Sequence, residues 1–228
     1  MTGIELHDVT VRPPGADGLV ILQETSLALT ERRIALIGPN GSGKSTLARL
    51  VNGLVSASTG RVVVNGLDVA ERGAEVRRQV GFAFTDPASQ LVMPTVIEDV
   101  ALSLRRTHKN KKERMAAAEG VLVAYGLRAL RDRSVHTLSG GQRQLLAMAG
   151  VLATDPKILV ADEPTTLLDL RNTREIGELI LSLEQQLILV THDLDLAARC
   201  ERALVVNDGR IAYDGPAAEA VEVYRAMP

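Results

Sequence analysis

A chain of 228 residues, 46% of them hydrophobic and with a formal net charge of -2, is long enough to bury the core of one large α/β domain. The near-neutral balance argues against a globally basic nucleic-acid binder, and an aromatic content of 2% with no Trp argues against a surface of base-stacking platforms. Cys200 is the sole cysteine, so no disulfide and no CxxC metal site is available; the opening MTGIELHDVT lacks the charged-then-apolar order of a signal segment, and the longest apolar run, Leu145 to Ala153, is too short to span a bilayer. These features predict a soluble, cytosolic chain that reaches a membrane only through a partner.

In chain order, Ile4 to Val11 reads as a strand, Pro13 to Gly18 as a loop, and Leu19 to Leu22 and Ser26 to Thr30 as further strands. Ile34 to Ile37 is an apolar run of the kind that forms a buried parallel strand. It leads into Gly38, Pro39, Asn40, Gly41, Ser42, Gly43, Lys44, Ser45 and Thr46, which fit G-x-x-x-x-G-K-[ST]. Glycines let successive N–H groups turn inward on phosphate oxygens, and the helix start adds its positive dipole end. Lys44 supplies a cation for the outer phosphates, and the Ser45 hydroxyl is placed to ligate Mg²⁺. The helix spans Ser45 to Asn52, with Gly53 where a C-terminal cap glycine belongs. Arg61 to Val64 is a short strand between Gly60 and the turn pair Asn65-Gly66. The strands before and after the phosphate loop form either a small antiparallel layer beside the nucleotide or edge strands of the main sheet.

Val80, Phe82 and Phe84 alternate, which predicts a strand over Val80 to Thr85. Gln90 and an apolar patch, Leu91 to Pro94, come after it. Arg105 to Arg114 carries six basic residues, the composition of a solvated surface segment or of a contact for anionic lipid or nucleic acid. Met115, Ala118, Leu122 and Tyr125 recur at helical spacing as far as Gly126. In Leu138 to Gln144, Ser139 is an N-cap for a helix from Gly140 to about Thr154, and its glycines open a second anion-binding helix start. Lys157 to Ala161 is a buried strand with Asp162 and Glu163 at its C-terminal end, where ligands of parallel sheets bind. Asp162 suits Mg²⁺ held through water, and Glu163 suits orienting or deprotonating an attacking water. Gln186 to Val190 is another strand, with His192 just beyond it. Ala203 to Val206 and Arg210 to Tyr213 form a hairpin about Asn207-Asp208-Gly209.

Together these motifs resemble the nucleotide-binding subunit of ABC transporters over nearly the whole chain. The resemblance implies a P-loop NTPase of the α/β class, with a parallel core sheet, an antiparallel β subdomain and a helical subdomain over about 86–155, all within a single domain spanning 1–228. Gln90 matches the Q-loop, Leu138 to Gln142 the LSGGQ signature, Ile158 to Glu163 Walker B, Leu167 to Asp169 the D-loop and His192 the H-loop. ATP would lie between Walker A of one copy and Ser139, Gly140, Gly141, Gln142 and Asp169 of another in a head-to-tail homodimer. Ser45, Gln90 and Asp162 would hold Mg²⁺, and Glu163, His192 and Gln90 would serve hydrolysis. The stretch from Phe84 to Ser103 looks like the Q-loop region of energy-coupling factor ATPases of vitamin and metal-ion importers. Arg131 to Asn172 is similar to the ATP-binding subunit of biotin importers in that group.

On this resemblance the partners are an integral membrane coupling subunit and a substrate-binding membrane subunit, not nucleic acid, and the chain sits on the cytoplasmic face of the membrane. An importer of a metal ion, cobalt or nickel, or of another vitamin is the alternative, and a non-transport ABC ATPase acting on nucleic acid a remote one. One departure stands out. No aromatic precedes Phe82, and Pro13 stands where relatives carry the ring that stacks on adenine.

Overall fold

The computed structural model describes residues 3–13, 15 and 18–227. Pro14, Ala16 and Asp17, part of the expected loop, lie outside the described residues. Strands β1 (Ile4–Val11), β2 (Leu22–Leu29), β4 (Thr59–Val64) and β5 (Leu67–Asp68) form a four-stranded antiparallel sheet in the order β2-β1-β4-β5. Of the two arrangements open from sequence, the separate antiparallel layer is the one formed. The strand expected at 19–22 does not form as such: Leu19, Val20 and Ile21 precede the ladder, and one strand, β2, runs from Leu22 through most of the piece expected at 26–30. Its polar centre, Gln23-Glu24-Thr25, runs along the sheet edge beside β1 with register shifts, so the apolar pattern breaks although the ladder continues.

The second sheet has six strands, β3 (Arg33–Ile37), β6 (Val80–Ala83), β7 (Ile158–Asp162), β8 (Gln186–Val190), β9 (Arg202–Asn207) and β10 (Arg210–Pro216), in the order β10-β9-β3-β8-β7-β6. Only β10 is antiparallel. It turns back through Asp208 (φ 47°) and Gly209 (φ 72°), as a two-residue hairpin with positive φ at both positions requires. Every residue of β3 and β7 is buried, because both faces of this sheet are covered. Ile34 and Leu36 face a core shared with the antiparallel sheet and α1 (Lys44–Leu50), while Ala35 and Ile37 face a second core. That second core is closed by α5 (Gly140–Leu152), α6 (Leu170–Ser182), α7 (Leu194–Ala197) and α8 (Ala217–Arg225).

Two more helices, α3 (Val96–Ser103) and α4 (Lys111–Ala124), pack with the other side of α5 around Val96, Val100, Leu122 and Leu146. α5 is thus buried on two sides: Met148 and Leu152 meet the sheet, and Leu146 and Ala149 meet α3 and α4. α2 (Val69–Gln79) bridges the two sheets, capped by the Asp68 carboxylate, which accepts from the Ala70 and Glu71 N–H groups. No helix among the described residues is long and apolar enough to cross a membrane.

Candidate nucleotide site

Strands β3, β8 and β7 are neighbours and run parallel, so the segments leaving their carboxyl ends emerge at one edge of the sheet. The phosphate loop leaves β3, His192 lies just past β8, and Asp162-Glu163 close β7. Three sequence-distant motifs therefore meet at the carboxyl ends of adjacent strands.

The loop after β3 is built on positive φ. Gly38 has φ 141°, and a Cβ there would be driven into the carbonyl of Val206 on β9. Gly43 has φ 106°, and a Cβ would sit 2.9 Å from the carbonyl oxygen of Ile21. Gly43 is also the N-cap of α1 and offers no side-chain acceptor, so the first N–H groups of that helix stay open to an anion. The loop and Glu163 line a cleft of about 400 Å³. Lys44 is 7% exposed, and its Nζ donates to the carbonyls of Gly38 and Pro39, each at 2.8 Å. Burial pulls the Lys44 pKa below the ordinary lysine value, against the opposing pull of Glu163 and Asp162.

Asp162 is 1% exposed and is held from three sides. Ser45 Oγ donates to Oδ1 at 2.8 Å, Arg49 Nη2 donates to Oδ2 at 3.1 Å, and Thr85 Oγ1 donates to the backbone carbonyl at 2.9 Å. Ser45 and Arg49 are one turn apart on α1, so they share the face turned to β7. A hydroxyl and a carboxylate in contact are hard oxygen donors, the set that Mg²⁺ takes together with phosphate oxygens and water. Glu163 sits at φ 54°, a left-handed conformation held by its N–H bond to the Val190 carbonyl at 2.9 Å. Its Oε2 accepts from Thr166 Oγ1 at 2.9 Å and lies 2.7 Å from His192 Nδ1.

Other candidates lie elsewhere. Gln90 turns back on the segment just past β6, with Oε1 accepting from the Phe84 N–H at 3.3 Å. Ser139 caps α5 in a reciprocal box: its Oγ accepts from Gln142 N–H at 3.3 Å, and Gln142 Oε1 accepts from Ser139 N–H at 3.0 Å. Gly141 and Gln142 line a hollow of about 290 Å³ with Asn172, and none of Ser139 to Gln142 lines the phosphate-loop cleft. Asp169 is the exposed N-cap of α6.

Sequence reasoning does not single out Arg49, Thr85 or Thr166. The i,i+4 spacing of Ser45 and Arg49 is a usable signal, whereas nothing in sequence places Thr85 beside Asp162. The apolar patch Leu91 to Pro94 is neither wholly exposed nor wholly buried: Leu91 is 8% exposed and packs in the α3–α4–α5 core, while Val92 is 66% exposed. The buried Asp99 carboxylate accepts from the Val92 and Met93 N–H groups at 2.9 and 3.0 Å and splits the segment between inside and outside.

The ABC transporter family profile matches residues 22–166. The chain belongs to the ABC transporter family. Its cassette is 49% identical over 208 residues to the biotin transport ATP-binding protein BioM of Rhizobium etli, covering 91% of this chain and 92% of that one. It is 38% identical to the energy-coupling factor transporter ATP-binding protein EcfA1 of Halalkalibacterium halodurans, covering 80% of this chain and 67% of that one. Among solved structures, CbiO1 of Clostridium perfringens, part of the ABC transporter complex CbiONQ, superposes with a TM-score of 0.84 at 29% identity over 96% of this chain and 90% of that one. A dimeric ATP-binding cassette, MJ0796, bound to ADP and Pi after hydrolysis, superposes with a TM-score of 0.83 at 27% identity over 94% and 98%. This ABC cassette is accordingly an ATP hydrolase of the P-loop α/β class, similar to energy-coupling factor subunits.

Proposed function

We propose that this chain energises an importer of the energy-coupling factor type whose cargo is a vitamin, biotin. The observation that carries the ATPase reading is the meeting of Ser45, Asp162, Glu163 and His192 at three adjacent strand ends. In this reading Lys44 exchanges its contacts with the Gly38 and Pro39 carbonyls for phosphate oxygens, and the open N–H groups of the loop cradle them. Ser45 and Asp162 would hold Mg²⁺ together with the phosphates, and the ion would neutralise phosphate charge. Glu163, fixed by Thr166 and His192, orients or deprotonates the attacking water. Gln90, whose Oε1 accepts from the Phe84 N–H here, would be a further Mg²⁺ ligand and would link hydrolysis to the partner.

Ser139, Gly140, Gly141, Gln142 and Asp169 act on the nucleotide of a second copy. Their separation from the loop cleft within one chain supports this, as do the exposed Leu167 and Leu170, 65% and 67% exposed, which flank Asp169. The helices over about 86–155 face the membrane coupling subunit, which sits with a substrate-binding membrane subunit in the membrane, and the cassette pair lies on the cytoplasmic face. A hollow of about 230 Å³ between α3 and α4, lined by Met93, Ala101, Leu102 and Met115 together with the charged Glu98, Arg105, Lys111 and Arg114, is the proposed docking place. Biotin as cargo rests on the 49% identity to BioM.

Two measurements test this. Glu163→Gln, assembled with its membrane partners, keeps ATP binding and loses hydrolysis by ~10²–10⁴-fold; near-normal turnover would remove Glu163 from the mechanism. Labelled biotin uptake in cells carrying the chain and its partners should stop with the same variant. Uptake of cobalt or nickel instead would move the cargo to a metal ion.

A further inference from the structure

The signature helix and the D-loop lie on separate helices, α5 and α6, yet one side chain joins them. Asn172 stands in the first turn of α6. Its N–H donates to Asp169 Oδ1 at 2.9 Å, and its Nδ2 donates to Asp169 Oδ2 at 2.8 Å, so both carboxylate oxygens of the D-loop aspartate are held by one residue. These two bonds, the backbone one first, keep the Asp169 carboxyl below its ordinary range.

The other end of the same amide presses on the signature. A Cβ added to Gly141 would overlap Asn172 Oδ1 and Cγ far inside van der Waals contact, with Nδ2 only 2.9 Å away. Gly141 is buried, so its missing side chain points into its own chain. Gly140 differs: a Cβ there would meet nothing closer than the Leu167 carbonyl oxygen at 3.6 Å, an ordinary contact. Within this chain only the second signature glycine is required by packing, and Asn172 is what requires it.

We propose that Asn172 is a positioning residue for ATP hydrolysis, holding the Asp169 carboxylate with one end of its amide and setting the seat of the signature helix at Gly141 with the other. Because the amide is planar and short, a shift of α5 against α6 at Gly141 must tilt it and so move Asp169. The signature and the D-loop then reach the nucleotide of the facing copy as one unit. The inference rests on the reading of these two segments as halves of a shared site.

The test is a double-mutant cycle with Gly141→Ala and Asn172→Ala, read as kcat and KM for ATP in the assembled transporter and as ATP binding by the isolated subunit. Gly141→Ala in the parent lowers kcat by about 10–100-fold with KM nearly unchanged, the size of effect that a small misplacement in a catalytic constellation produces. In the Asn172→Ala background the same substitution should cost at least about fivefold less, because contacting residues are non-additive. An equal loss in both backgrounds would overturn the steric half of the proposal. Asn172→Asp keeps the shape but removes the Nδ2 donor and sets a like charge beside Asp169. It should lower kcat at least as much as Asn172→Ala, and parent-like kcat would overturn the hydrogen-bonding half.

If Gly141→Ala does not fold, recovery of folding and ATP binding in the double variant supports the steric half equally, and failure to fold in both backgrounds overturns it. Failure of the underlying reading is distinguishable, since Gly141→Ala and Asn172→Asp would then both hydrolyse ATP like the parent while Glu163→Gln still abolished turnover.

Discussion

Arg49 gives the sharpest energetic test of the site. Asp162 is 1% exposed and its partner Arg49 41% exposed, at 3.1 Å. Removing one partner of a fully buried pair costs about 3–5 kcal/mol, because a charge is left buried and alone. Here the guanidinium is two-fifths exposed, so solvent screens part of that, and the Ser45 hydroxyl remains on the other oxygen. A loss of ~2 kcal/mol is the working figure for Arg49→Ala without ligand, which for a chain of this size lowers Tm by roughly 4–8 °C. On the proposed assignment of Asp162 to Mg²⁺, the ion would bring its own positive charge to the same carboxylate, so the cation should replace Arg49 rather than add to it. Thermal unfolding of parent and variant, with ATP and EDTA and then with saturating Mg²⁺ and ATP, separates the two. The Tm deficit should at least halve when Mg²⁺ is present. A deficit of the same size in both conditions would refute the exchange of Arg49 for the metal at Asp162. No deficit in either would show that the ion pair contributes nothing.

Three further outcomes are expected. Pro13 is half-buried beside exposed Arg12, whose N–H is tied to Ser58 Oγ at 2.9 Å, and Pro13→Tyr should tighten ATP binding roughly tenfold, ~1.4 kcal/mol, within the range of base–aromatic stacking; unchanged affinity by calorimetry would mean another residue already grips adenine. Met93→Asp places a negative charge in the lining of the α3–α4 hollow and should release the membrane partner in co-purification while the isolated subunit still binds ATP; an unfolded variant would assign Met93 to the core instead. Burial pushes the Cys200 thiol up to about 12, so the folded chain should resist thiol reagents at pH 8 and label only on unfolding. Because the folded value lies above the 9.0 of an ordinary thiol, the stabilisation from the neutral thiol is intact below that pH and is lost as pH climbs toward 12.

How much of the molecule is legible in its sequence depends on which constraints are local. The phosphate loop is legible because binding phosphate with backbone N–H groups needs positive φ at Gly38, Gly41 and Gly43 and a cation next to a hydroxyl, all within nine residues. The strands β3, β7 and β8 are legible because a sheet covered on both faces makes them apolar runs, with polar residues such as Arg33, Asp162 and Gln186 only at their ends. The helices that sequence does not reveal fail that condition. α2 buries only Val69 and Val76, too few to set a period, and α8 buries the small Ala217 and Ala220 with Val221, which carry little hydropathy signal. α6 does carry the signal, Ile176 and Ile180 one turn apart behind an N-capping Asp169, but reading Asp169 as D-loop alone hides its role as a cap.

Leu91 and Val92 show the opposite error, where adjacency in sequence is mistaken for a shared surface. The chain there is pinned by Asp99 from a later helix, and which side is buried depends on that helix. Gly141 joins both cases. The motif says that a glycine stands there but gives no reason for it. The reason is a side chain on another helix, which also holds the carboxylate of a second motif. A local motif can therefore be read residue by residue while the coupling between motifs stays invisible. If two copies pair as proposed, Asn172 joins the two segments that would reach the facing nucleotide.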